Sequence, residues 1–177
     1  MRTGSIVFAA ALALASNEAR ADSGPDAVPD FRIAMGPAVH VAPRGDTGVS
    51  YALDLTVGFT GVVGERYEGL VFNPELGYTF DTVGLHAFDL RFGIGGGNAF
   101  GAVVYQPHLL AGTLEGDTAI GVRNSLQGKF FADILSLEVG HQLIYADGDF
   151  HQSVNVMFGV NPASFLFLIV SAFSWLK

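Results

Sequence analysis

The chain contains no cysteine, which excludes disulfide scaffolds and thiolate metal centres. Charge is also scarce. Only 15% of the 177 residues are Asp, Glu, Lys or Arg, against about 25% in an ordinary soluble domain. Basic side chains are the rarer sign, 9 against 17 acidic ones, for a net charge of −8. Nucleic acid as a partner requires a basic patch, and this balance argues against one. Half the residues are apolar, yet no uninterrupted apolar run reaches the roughly 18 residues of a membrane-spanning helix. The five histidines, His40, His86, His108, His141 and His151, include no pair at the i, i+4 helical spacing of a zinc site. A G-x-S-x-G nucleophile elbow is missing, as is a Gly-rich loop followed by Lys-Ser/Thr. No cofactor, no metal and no enzymatic activity are expected.

What is abundant is glycine (23) and phenylalanine (15). Together with many short apolar segments, they favour β structure over helix. A chain this apolar without a spanning helix is either a soluble protein with an oversized core or a membrane barrel. In a barrel the apolar residues are spread over every second position.

Residues 1–21 read as a secretory signal peptide. Arg2 is the positive n-region, Ile6 to Ala15 form the apolar core, and Ala19-Arg20-Ala21 fits the small-x-small cleavage pattern. Cleavage there removes Arg2, Arg20 and Glu18 and leaves 7 basic and 16 acidic side chains. Residues 22–30, which begin DSGPDAVP, are expected to be a flexible lead-in.

From Phe31 the chain alternates. In Tyr51 to Thr60, Tyr51, Leu53, Leu55, Val57 and Phe59 share one face, and Ala52, Asp54, Thr56, Gly58 and Thr60 the other. Successive strand side chains point to opposite sides, so this is a strand with one apolar face. The pattern recurs over 31–42, 49–60, 70–80, 85–95, 102–112, 118–129, 134–145 and 149–161. Each segment is long enough to cross a membrane as a tilted strand. Turn residues separate them at 43–46, 81–84, 95–98, 115–117 and 147–148. Short connections imply an all-β, up-and-down antiparallel barrel of about eight strands.

The turns set registers. Asp147-Gly148, a favoured two-residue hairpin turn, sets Tyr145 against Phe150, Val139 against Val156, Leu137 against Phe158, Gln142 against Ser153 and Gly140 against Asn155. The 81–84 turn sets Glu75 against Arg91, Leu76 against Leu90 and Phe72 against Ile94. After the Gly-rich turn residues 95–98, Asp89 can face His108 while Arg91 faces Gln106.

Volume decides which face is inside. Five or so bulky apolar residues per strand exceed the interior of an eight-stranded barrel. The polar face is rich in Gly, Ala, Ser and Thr and carries about one charge per strand, which suits a packed lumen. Its charges are Arg32, Arg91, Arg123 and Lys129 against Asp54, Glu75, Asp89 and Glu138. Buried charges are tolerated when paired, so these eight, with His108, are expected to form a salt-bridged lumen. The opposite polarity, a soluble periplasmic lipocalin-like barrel binding an apolar ligand, is the alternative.

By this pattern the chain resembles the small eight-stranded outer-membrane barrels of Gram-negative bacteria. The resemblance implies the cell outer membrane as location, with its lipids and the barrel-assembly machinery as partners. The role it implies is structural or that of a small, porin-like pore. Two features depart from it: all connections are short, and the chain does not end on an alternating strand closed by an aromatic residue.

Residues 162–177 are apolar on every side until Lys177. Asn161-Pro162 suits a helix start, while a turn at 161–164 would instead make a further strand. Either form is a candidate contact for an envelope partner. Two groupings invite a search for chemistry. Asp89, Arg91 and His108 supply an Asp–His pair, but the registers bring no serine to it. His141, His151 and Ser153 lie near the 147–148 turn, where a lipid-modifying hydrolase could act. The His-x-Ser-Asn pattern of lipid A deacylases is not matched by His151-Gln152-Ser153-Val154, and an interfacial histidine is the preferred reading.

Overall fold

The structure is a computed structural model that describes residues 26–41, 47–65, 68–98, 101–131, 133–166 and 169. The segment 1–21 and the first part of the expected lead-in, 22–25, lie outside these residues. Eight strands follow one another: β1 (Asp26–Val41), β2 (Thr47–Glu65), β3 (Glu68–Asp81), β4 (Leu85–Asn98), β5 (Gly101–Leu114), β6 (Asp117–Phe130), β7 (Leu135–Ala146) and β8 (Asp149–Val160). Each pairs antiparallel with its successor, and β8 pairs with β1 to close the barrel. All are longer than the roughly 9–11 residues a tilted transmembrane strand needs.

Closure fixes the tilt. Partners followed from Phe31 run through Val57, Leu76, Leu90, Leu109, Val122, Leu143 and Gln152 and return to β1 at Val41, ten residues further on. An eight-stranded barrel with such a stagger has strands inclined by about 35–45° to its axis.

The hairpin registers at 147–148 and 81–84 are as the sequence implies. Tyr145 pairs with Phe150 and Gln142 with Ser153, and Glu75 pairs with Arg91. Asp147 (φ 49°) and Gly148 (φ 83°) both take left-handed conformations, the signature of a type I′ turn that follows the strand twist.

Three expectations need correction. The lead-in does not last to residue 30: Asp26 to Asp30 already belong to β1. These residues lie beyond Ile33, where the recorded pairing with β8 ends, so Pro29 occupies an edge, where its missing N–H is tolerated. The glycine run is not the turn: β4 continues to Asn98 and β5 starts at Gly101. A Cβ on Gly95 would collide with the carbonyl of Val103 on the neighbouring strand, so glycine marks a close backbone approach there. Because that turn lies later, β4 and β5 shift by two residues. Arg91 pairs with His108 and Asp89 with Leu110, in place of Arg91 with Gln106 and Asp89 with His108.

After β8 the chain enters a helix at Pro162, described over 162–166 and at 169. Asn161 caps it, its Oδ1 accepting hydrogen bonds from the amides of Ala163 (3.1 Å) and Ser164 (3.2 Å). The further strand is therefore set aside over these residues, and the rest of 162–177 lies outside those described. Among the described residues no helix is long and apolar enough to cross a membrane, which says nothing about crossing by strands.

Candidate functional site: the charged lumen

Alternation turns one set of side chains from every strand into the barrel. The structure places Arg32, Asp54, Glu75, Asp89, Arg91, His108, Arg123, Lys129 and Glu138 there, each buried. The opposite face is exposed and apolar, as at Leu76 (53% exposed), Leu90 (58%) and Leu109 (61%).

The three arginines tie the interior together. Arg91 Nη2 lies 2.7 Å from both oxygens of Asp54 and also bonds Asp89. Its Nη1 faces Glu75 at 3.6 Å. Arg32 donates to Glu138 at 3.1 Å and to Glu75 at 3.4 Å, and its Nε reaches Thr56. Arg123 reaches Asp54 at 3.3 Å, Thr79 at 3.0 Å and Gln142 at 3.1 Å. Each guanidinium thus joins strands that are not neighbours in the sheet, and each buried charge meets its opposite.

The Asp89–His108 pair survives the register correction because the side chains meet diagonally. His108 Nδ1 is 3.0 Å from Asp89 Oδ2. A serine is present after all: Ser125 Oγ lies 2.8 Å from His108 Nε2. With a carboxylate at Nδ1, the proton sits on Nδ1, and Nε2 accepts from the hydroxyl. The order carboxylate–imidazole–hydroxyl is that of a nucleophilic triad. Its surroundings are not. Asp89 is shared with Arg91 and faces Arg123 at 3.8 Å, and Ser125 is buried, with the Gln106 carbonyl 3.5 Å away as a competing acceptor for its one proton.

At the end of the barrel where the chain enters and leaves, Lys129 Nζ donates to Asp30 (2.7 Å), Asp133 (2.9 Å) and Thr60 (3.0 Å). Asn161 donates to Asp30 at 2.9 Å. The balance of four bases against four acids is therefore corrected by Asp30, which the lead-in reading hid, and Asp133 in the β6–β7 turn also joins. Burial pushes the Asp133 carboxyl up to about 7, with Asp30 adding to the rise and Lys129 opposing it. At the opposite end, Leu85, Ala87, Leu110, Ala119, Ile144 and Ala146 form an apolar cluster. The same end also holds His40, whose Nε2 meets Ser50 and faces Asp81 at 3.6 Å, so the interior is mixed there, ionic in the middle, and latched by Lys129 at the other end.

The second grouping does not assemble. His141 is exposed on the outer face, whereas Ser153 is buried inside and bonded to Gln142 at 3.4 Å. His151 shares Ser153's face of β8, so His141 and Ser153 stand on opposite sides of the wall. Among the described residues no cluster of His, Asp and Glu could hold a metal ion.

Sequence reasoning missed Asp30, Ser125 and Asp133. The signal for Ser125 lay in the period of β6, where Arg123, Ser125, Gln127 and Lys129 share a face. Comparison with known proteins adds no relative: no family model, no curated protein and no solved structure matches this chain.

Proposed function

We propose that this chain is an outer-membrane β-barrel protein of the cell envelope, with a structural role and a lumen closed by its own ion pairs. One observation carries the reading, the polarity of the wall. Large apolar side chains stand exposed around the outside while Arg32, Arg91 and Arg123 are buried within. In water that arrangement would expose far more apolar surface than a soluble monomer carries. In a bilayer it is the arrangement a spanning barrel requires.

The ionic lumen argues against the lipocalin-like alternative, since charged side chains bonded to one another offer an apolar ligand no contact surface. It also argues against general porin activity, because the arginines bridge the width that a solute would need. The Asp89–His108–Ser125 relay serves this reading as a structural network, its hydroxyl being enclosed.

The test is heat modifiability. Membranes from cells expressing the full chain are compared on gels with and without boiling. A boiling-dependent mobility shift in the carbonate-washed outer-membrane fraction is expected. Recovery in the soluble periplasm without a shift would overturn the proposal. Reconstituted into planar bilayers, the barrel should show no porin-sized conductance steps.

A further inference from the structure

The outer wall carries a polar pair in an apolar field. Asn124 lies midway along β6 and His141 midway along β7, and the two are partners across the ladder. Both are exposed on the outside. Around them stand Val122, Leu126 and Val139, also exposed. On the membrane reading proposed above, on which this inference rests, the pair faces the middle of the hydrocarbon, where polar groups are costly without a partner.

The hydrogen bonding inside the chain is half complete. Tyr105 donates its hydroxyl to Asn124 Oδ1 at 2.7 Å. That bond fixes the amide, so the Nδ2 donors remain to be satisfied. Among the described residues nothing bonds Nδ2 of Asn124 or either ring nitrogen of His141. A neutral imidazole offers one acceptor nitrogen. The patch therefore presents a donor and an acceptor side by side on neighbouring strands.

From this we infer that the β6–β7 face is a dimer interface and that its partner is a second copy of this chain. A two-fold axis along the membrane normal, passing between Asn124 and His141, sets each Asn124 opposite the other copy's His141. Each amide then donates to the facing imidazole, two reciprocal hydrogen bonds from one self-complementary patch. The surrounding valines and leucine supply packing, and the exposed Tyr105 ring, bonded to Asn124, borders the patch on the β5 side. A lipid tail satisfies neither group. An unrelated protein would need the complementary pair that this chain already carries.

The absence of cysteine from the chain makes the test direct. Differently tagged Asn124→Cys and His141→Cys chains are co-expressed, and outer membranes are oxidised with copper phenanthroline. A mixed disulfide dimer is expected, more abundant than the homodimer of either variant. A Leu76→Cys chain, with its cysteine on the far wall, should give none. The Asn124→Leu/His141→Leu double variant should remain heat-modifiable while its dimer in detergent dissociates about tenfold more readily, the range that interhelical-type polar contacts reach in membranes.

A heat-modifiable membrane protein that forms no mixed dimer, or forms cross-links only to other proteins, overturns this inference and leaves the barrel assignment standing. A double variant that dimerises as tightly as the parent also overturns it. Loss of the protein to the soluble fraction would count against the membrane reading itself.

Discussion

Arg91 reaches Asp54 across the full width of β3, over Gly77. A Cβ at Gly77 would lie 2.7 Å from Arg91 Nη2 and 2.8 Å from Thr56 Cγ2. The missing side chain is what lets a β4 guanidinium bond a β2 carboxylate at 2.7 Å. Gly77→Val should displace Arg91 and destabilise the barrel by about 1–3 kcal/mol through overpacking. Asp54→Ala, which removes the acid shared by Arg91 and Arg123, should cost roughly 3–5 kcal/mol. Urea titration of the heat-modifiable band measures both. A Gly77→Val variant as stable as the parent would contradict the account.

The Asp133 carboxyl gives a pH signature. Burial raises it to about 7 in the folded protein, from 3.8 in the unfolded chain. The folded state therefore binds more protons than the unfolded state between those values, and stability contributed by this group falls as pH rises through that window. Asp133→Asn should flatten the slope of the unfolding midpoint between pH 5 and 8. The difference between variant and parent isolates Asp133 from the other acids, and equal slopes would show that it does not titrate as described.

Ser125 tests whether the relay is structural. Ser125→Ala leaves His108 Nε2 without the hydroxyl it bonds at 2.8 Å, a loss of about 1–3 kcal/mol for a buried unsatisfied group. The parent protein in its membrane should resist labelling by a fluorophosphonate, because the hydroxyl is enclosed. Rapid labelling lost in Ser125→Ala would turn the relay into a nucleophilic site.

Asn161 holds two things at once: the helix start at 162, through Oδ1, and Asp30, through Nδ2. Asn161→Ala should lose both, at about 1–2 kcal/mol for the cap alone, and should speed proteolysis after residue 161. Asn161→Asp keeps a capping oxygen but turns a donor into a second carboxylate against Asp30. It should protect the helix from protease while still lowering barrel stability. Identical behaviour of the two variants would separate the helix from the Asp30 contact.

Legibility in the sequence followed the turns. Asp147-Gly148 admits one register, so β7 and β8 could be aligned residue by residue. Gly95 to Asn98 looked like a turn because three glycines and an asparagine are turn residues, yet they are strand positions where backbones crowd. That misreading moved β5 by two residues. Asp30 was hidden by the neighbouring prolines, which read as coil unless one knows that β1 overhangs β8. The face of each charge was legible because a period of two depends only on local spacing. Which charges touch across the interior depends on the stagger of the closed sheet, and no single hairpin carries that information.

Closure also orders the steps of folding. Seven of the pairings join consecutive strands and can form as local hairpins, but the last joins Ile33 to Val160. Bonds from Arg32 to Glu138 and from Asp30 to Lys129 and Asn161 reach between β1 and the last part of the chain. Closing so long a loop is slow, because its entropy is lost before those contacts return anything. Until β8 arrives, β1 keeps an open edge, and Asp30 and Arg32 wait for Asn161, Lys129 and Glu138. The same residues that fill the finished barrel therefore act as a clasp, and a nascent chain truncated before β8 has nothing with which to shut it.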